Sequence, residues 1–386
     1  MKNLSFLLLL VSLYNFSCSS ALHNVLDKFE KKTPHEAYAD KLDDRGLDQT
    51  PEGRAWLAAS QTALENPLPV SLPYRQQGFF QPDKPRALGL QFTAQAGEKL
   101  VFTLTRKDGA VLPLYADLFQ QYQTSSPLLS ADTSATSFSM EVDETGSYLL
   151  RLQPALFRTG DYHLSIAVAP SLGFPVSGTK ANIGSVWGDN RDGGKRRHEG
   201  IDIFAPKHTP AVAAADGYIT GVREGGLGGK TVWLRPEGKK YTLYYAHLDQ
   251  QLVQEGQLVK KGDVVGLVGN TGNAKYTPSH LHFGVYTVAG AINPLPFVNR
   301  TVKTAPDLAE KKFANRLVLT KSQKGADGTT IKAATPLIPL AADAKDYLVE
   351  TPEGRLLRVP FSAVKATKEP VGKWVDVVVR QPAASP

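Results

Sequence analysis

One cysteine, two methionines and four tryptophans are all that this 386-residue chain holds of those types. A single cysteine, Cys18, excludes any intramolecular disulfide, so stability must come from packed cores and bound metal. Beyond the N-terminus no apolar run reaches the roughly 20 residues that a spanning helix needs. Charge of one sign is not in large excess: 44 Lys and Arg stand against 37 Asp and Glu, a net +7. Over this length that is no nucleic-acid signature, although it suits nonspecific attraction to a polyanionic matrix. Apolar residues make up 42% of the chain, ordinary for a folded protein, so long disorder is not expected. The length allows two or three domains.

The chain opens Met1-Lys2-Asn3-Leu4-Ser5 and continues as an apolar stretch from Phe6 to Phe16. A positive start with a short apolar core marks residues 1–21 as a secretory signal peptide, so export is expected. Cys18 follows the apolar stretch directly and suggests a lipidated N-terminal cysteine, the one expected route to a membrane. The competing reading removes Cys18 with a peptide cut after Ser19-Ser20-Ala21. Asn15 is an unusual residue three before a lipidated cysteine.

Residues 22–66 show apolar spacing of three to four, which predicts helices around 35–42 and 52–64. Thr50-Pro51-Glu52 starts the second, and Asn66-Pro67 ends it. From 67 to 170 the period changes to a largely alternating one, in Lys99-Leu-Val-Phe-Thr-Leu-Thr and Gly160-Asp-Tyr-His-Leu for example, and an antiparallel β-sandwich is expected. Residues 171–299 are rich in glycine and β-formers, with no room for long helices. Residues 300–312 are polar and Lys-rich, a linker. Short strands fill 313–366, and 367–386 hold one more strand at 374–380 and a Pro/Ala/Ser tail. The fold class is therefore mainly β and multidomain.

Five of the eight histidines fall between His198 and His282, four of them in three short motifs. These are Arg197-His198-Glu199-Gly200-Ile201-Asp202, Tyr245-Ala246-His247-Leu248 and Ser279-His280-Leu281-His282-Phe283. In a strand, His280 and His282 share one face about 6–7 Å apart, close enough to serve one small site. Histidine and carboxylate are good zinc ligands, and a catalytic site keeps three of them with one position open. His198, Asp202 and His282 supply that count. A straight strand would hold His198 and Asp202 about 13 Å apart, so the chain must bend near Gly200. Single histidines in strands are commonly structural, and His163 is read so. His208 matches no motif and reads as a loop residue, and Glu199 points away from the metal. Lys195-Arg196-Arg197 is either a solvated face or a contact for substrate carboxylates.

The three motifs resemble the lysostaphin-type (LytM) zinc metalloendopeptidases. Ala205-Pro206, Gly262-Asp263 and Gly269-Asn270-Thr271-Gly272-Asn273 extend the likeness over 171–299. The resemblance implies a two-sheet β-fold with a peptide groove and one catalytic Zn²⁺ held by His198, Asp202 and His282. It makes His247 and His280 the two catalytic histidines that do not bind metal. His280 is read as principal base, with His247 assisting and stabilising the tetrahedral intermediate. The implied activity is hydrolysis of peptidoglycan peptides in the periplasm, or on an outer-membrane lipoprotein facing the wall, by a monomer with no nucleic-acid partner. The lysostaphin branch carries an aromatic residue shortly before its first histidine. No aromatic here lies nearer than Trp187, which points to ordinary peptide cross-links rather than glycine bridges. Asn66 and Asn190 are available to cover a latent site, and Asn293-Pro294 is a turn or a substrate contact. The sandwich resembles pre-peptidase modules, and 313–366 resembles a bacterial SH3-like barrel. Two other functions fit the same resemblance: a noncatalytic regulator of another wall hydrolase, and a wall-binding scaffold.

Overall fold

The computed structural model describes residues 32–106, 112–178, 180–324 and 328–372. The expected signal peptide, Cys18 and the strand at 374–380 lie outside these residues. Among the described residues no helix is long and apolar enough to cross a membrane.

Two helices lead, Pro34–Asp43 and Pro51–Glu65. Each starts on a threonine cap followed by proline, whose missing N–H costs nothing in a first turn. Their apolar stripe lies on the sandwich. Trp56 is fully buried, donates through Nε1 to the Pro154 carbonyl at 2.8 Å, and stacks on His35 at 4.7 Å. The His35 ring in turn meets Gln153 Oε1 at 2.7 Å.

The alternating region forms two packed sheets. One has the strand order Leu68–Pro69, Leu88–Ala94, Gly146–Pro154, Leu114–Gln120 and Leu129–Ala131. Its first pairing is parallel, where an all-antiparallel sandwich was expected. The other sheet contains Tyr74–Phe80, Gly160–Pro170, Glu98–Arg106 and Ser137–Glu141, and it does not stop at the sandwich. Tyr74–Phe80 pairs with Pro336–Ala342, with Gln77 opposite Ala342 and Gly78 opposite Ala341. Ala341 and Leu348 then fill the sandwich core, while Leu317, Leu337, Val349 and Val359 form a smaller core of the C-terminal strands. Residues 300–312 lie along the sandwich: Lys303 bridges to Val168, and Gln77 donates to the Ala309 carbonyl at 2.7 Å.

The third assembly is a ten-stranded sheet. Its main path runs Asn182–Ser185, Ile201–Phe204, His280–Thr287, Thr242–Gln251, Gly229–Pro236, Gly217–Gly225 and Leu258–Val259. Pro210–Val212 and Val264–Val268 form a branch of it, and Asn190–Arg191 pairs with Arg196–Arg197 in a separate two-stranded sheet. Alternation decides its two faces. Leu281, Phe283 and Val285 are fully buried in the core with Ile201 and Ile203, so His280, His282, Gly284 and Tyr286 take the other face.

Candidate metal centre and catalytic face

One row across four strands builds the centre. Ser185 lies opposite Asp202, Asp202 opposite His282, and His282 opposite Ala246. His198 precedes the second strand in a loop that bends at Gly200, and its ring folds back over Asp202. Three candidate donor atoms converge: His198 Nε2, Asp202 Oδ1 and His282 Nδ1 are each 3.0 Å from the other two. The bend takes place at glycine for a further reason. A Cβ on Gly200 would lie 2.6 Å from the His282 ring and 2.6 Å from the Phe283 carbonyl oxygen. Gly200 serves close approach of the ring, not a left-handed backbone, as Gly200 is not among the positive-φ glycines.

The donor set fits a cation. His198 Nδ1 lies 2.8 Å from the Val186 carbonyl oxygen, which fixes the N–H on that nitrogen in the neutral ring and leaves Nε2 a lone pair. That lone pair faces the Asp202 carboxylate oxygen and a nitrogen of His282, an arrangement of acceptors that a metal ion satisfies. Burial alone would raise the Asp202 carboxyl, but the His198 and His282 rings set against it outweigh burial and hold the group far below the usual carboxylate range. Burial pushes the His282 imidazole down, against the pull of Asp202.

His280 Nε2 is 3.9 Å from Asp202 Oδ1, outside the convergent trio. Its Nδ1 sits 2.8 Å from the Pro278 carbonyl oxygen, so Nε2 is its bare nitrogen. His247 is set in the same way, with Nδ1 2.9 Å from the Thr271 carbonyl oxygen. The two rings stand 5.0 Å apart, and the His247 and His282 rings 5.8 Å apart. His247 reaches this place by breaking alternation. Ala246 already faces His282, so a regular strand would turn His247 to the other side. The pairing with Gly229–Pro236 shifts register here, and His247 takes a left-handed φ of 62°. Burial, then the neighbouring His280 and His282, pushes its imidazole down to about 4. It is therefore neutral at neutral pH, and its Nε2 becomes a donor only after accepting a proton.

Spacing did not reveal the residues that hold the ligands. Arg191 donates through Nη2 to Asp202 Oδ2 at 2.8 Å and to Ser185 Oγ at 2.6 Å. Ser185 Oγ donates to Asp189 Oδ2 at 2.8 Å, and Asp189 also accepts from the Val186 N–H at 3.0 Å. The loop that presents the Val186 carbonyl to His198 is thus pinned by the same residues that hold Asp202. Their only signal in the sequence is a polar, Gly-rich stretch before the first motif.

The other candidates fall apart from the centre. His208 pairs with Asp249 on an exposed loop at 2.8 Å, and His163 is exposed on its strand. Glu199 accepts from the Tyr286 hydroxyl at 3.4 Å. Asn66 caps the end of the second helix, and Asn190 pairs through its backbone with Arg197. Asn293 Oδ1 accepts from the Leu295 N–H at 3.0 Å, which makes it a turn residue. Arg197 donates to the Gly188 carbonyl at 3.1 Å.

Comparison with known proteins meets the same stretch. The model of peptidase family M23 matches residues 196–294. An L-Ala–D-Glu endopeptidase of Bacillus subtilis is 37% identical over 110 residues, 26% of this chain and 33% of its own. The peptidoglycan DD-endopeptidase ShyC of Vibrio cholerae is 36% identical over 88 residues, 23% of this chain and 20% of its own. The catalytic domain of lysostaphin from Staphylococcus simulans is 30% identical, with 30% of this chain and 90% of that one aligned at a TM-score of 0.28. The chain spans about a third or less of the length of the curated relatives it matches. All three histidine motifs lie within the stretch that matches the model of peptidase family M23.

Proposed function

We propose that this chain is an exported zinc metalloendopeptidase, acting as a monomer on the peptides of peptidoglycan. The observation that carries the reading is the convergence of His198 Nε2, Asp202 Oδ1 and His282 Nδ1 at 3.0 Å, with two further imidazoles turned toward the same spot. Relatives named as an L-Ala–D-Glu endopeptidase and a peptidoglycan DD-endopeptidase support the substrate class.

His198, Asp202 and His282 would hold the ion. Bound zinc polarises a carbonyl and brings the pKa of a water to about 7. His280 offers a bare Nε2 beside the ligands, and is the base that takes a proton from the attacking water and returns it to the leaving amine. His247 faces the same space as a neutral ring. A proton taken up from solvent at Nε2 makes it the donor that steadies negative charge building on the scissile carbonyl oxygen. The carbonyls of Pro278 and Thr271 fix both tautomers, so each ring meets the substrate with the nitrogen that exchanges protons.

Metal analysis together with digestion of purified peptidoglycan tests the reading. The full chain should carry one zinc and release peptide fragments, and Asp202→Ala should lose both. His280→Ala should keep zinc and lose about 10²–10⁴ in rate, the usual share of a positioned base. Stoichiometric zinc without any cleavage of peptidoglycan, or unimpaired cleavage by Asp202→Ala, would overturn it. Mass spectrometry of the mature N-terminus separates the two forms of export: Cys18 first, or a residue after the signal peptide.

A further inference from the structure

The catalytic face does not end at the histidines. Along the His280–Thr287 strand it continues through Gly284 to Tyr286, and across it through Tyr244 to Trp233, which lies opposite Tyr244 as Tyr244 lies opposite Gly284. The rings form a connected path. Tyr244 is 5.9 Å from His282, Trp233 is 4.3 Å from Tyr244, and Tyr286 is 5.8 Å from Tyr244 and 5.4 Å from Trp233. Gly284 opens the path, because a Cβ there would lie 2.7 Å from the Tyr286 ring.

The path leads into a depression of about 310 Å³ whose wall holds Trp233, Tyr286 and three cations, Arg223, Arg235 and Lys240. The Arg223 guanidinium lies over Gly221 beside the Trp233 edge, within 3.8 Å of where a Cβ would stand. Arg235 Nε donates to the Lys239 carbonyl at 3.1 Å. Among the described residues none of the three cations has a carboxylate partner, whereas the neighbouring Lys239 is paired with Glu141 and Asp143. Three unneutralised cations beside two aromatic faces make a receptor for a negatively charged group on a chain that also offers flat or apolar surface.

We propose that this depression is a subsite for a carboxylate of the substrate peptide, and that it selects acidic peptides over their amidated counterparts. The proposal rests on the peptidase reading for what is cut, but the subsite itself is a binding claim. Its position sets a register. Tyr286 lies four residues along the strand from His282, about 13 Å. An extended substrate covers about 3.3–3.6 Å per residue, so the recognised carboxylate lies about four residues from the scissile bond.

The test uses the zinc-loaded full chain and matched synthetic peptides, each with a free carboxylate or its amide at one, two or four residues from the cleaved bond. The wild-type protein should show a KM about tenfold lower for the acid than for the amide, greatest at four residues and shrinking with added salt. Arg223→Gln and Lys240→Gln, both on exposed side chains, should bring that ratio close to one, while Lys365→Gln in the C-terminal strands should leave it at the wild-type value. Binding is read separately from turnover by quenching of tryptophan fluorescence in Asp202→Ala, with Trp233→Phe to identify the reporting ring. Acid-selective quenching that Arg223→Gln abolishes supports the subsite even if no peptide is cleaved, an outcome that would sink only the peptidase reading. Equal KM and equal quenching for acid and amide, or an unchanged ratio in both variants, would overturn the subsite.

Discussion

Asp202 uses its two carboxylate oxygens differently. Oδ1 faces the two imidazoles, while Oδ2 is held by Arg191. A charge-assisted bond to the far oxygen fixes which one is turned to the two imidazoles, and partners of this kind commonly govern 10–100-fold in metal affinity. Arg191→Ala is therefore expected to weaken zinc binding by about that factor in chelator competition, with Arg191→Lys recovering part of it. An unchanged zinc affinity would mean that Asp202 is held by its strand alone. At this scale the sequence named His198, Asp202 and His282, whose donor atoms converge, because donor chemistry is local to each residue. It did not name Arg191, Ser185 or Asp189, whose chemistry is generic until folding places them.

Elements decide which of those residues meet. The Ile201–Phe204 and His280–Thr287 strands align Asp202 with His282, and the bend at Gly200 returns His198 to them. Gly200→Ala would drive a methyl group into the His282 ring and the Phe283 carbonyl oxygen. The expected result is a loss of about 1–3 kcal/mol in stability and a fall in bound zinc, measured by thermal unfolding and metal analysis. Gly146→Ala, where a Cβ meets nothing, is the control and should leave zinc binding intact. The spacing between His198 and Asp202 already required a bend, so that part was legible. The left-handed turn at His247 was not. Regular alternation puts His247 on the wrong face, and only the register shift against Gly229–Pro236 brings it beside His280.

At the scale of the molecule, the sandwich shares a sheet and a core with strands some 260 residues later in the chain. Removing everything after residue 312 would expose that sheet edge and strip Ala341 and Leu348 from the core. A shortened chain of this kind should unfold at lower temperature in calorimetry, with the sandwich transition shifted. If the two regions were independent, that transition would stay in place. The helical cap is equally integral. Trp56→Ala removes a fully buried indole and its bond to Pro154, and should cost about 3–5 kcal/mol, seen in chemical denaturation.

The sequence by itself determined the mainly β class, the helix starts at Thr50 and Pro51, and the residue types at the centre. Each of these depends on periodicity or on chemistry within a few neighbouring positions. Tertiary structure alone decided that the two sheet systems fuse through Tyr74–Phe80, that Arg191 holds Asp202, and that Trp233, Tyr286 and three cations line one depression. Those facts are contacts between different segments, from 11 residues apart for Arg191 and Asp202 to some 260 for the fused sheets. Hydrogen-bond register across strands sets them, and nothing in the local pattern of either segment encodes its partner.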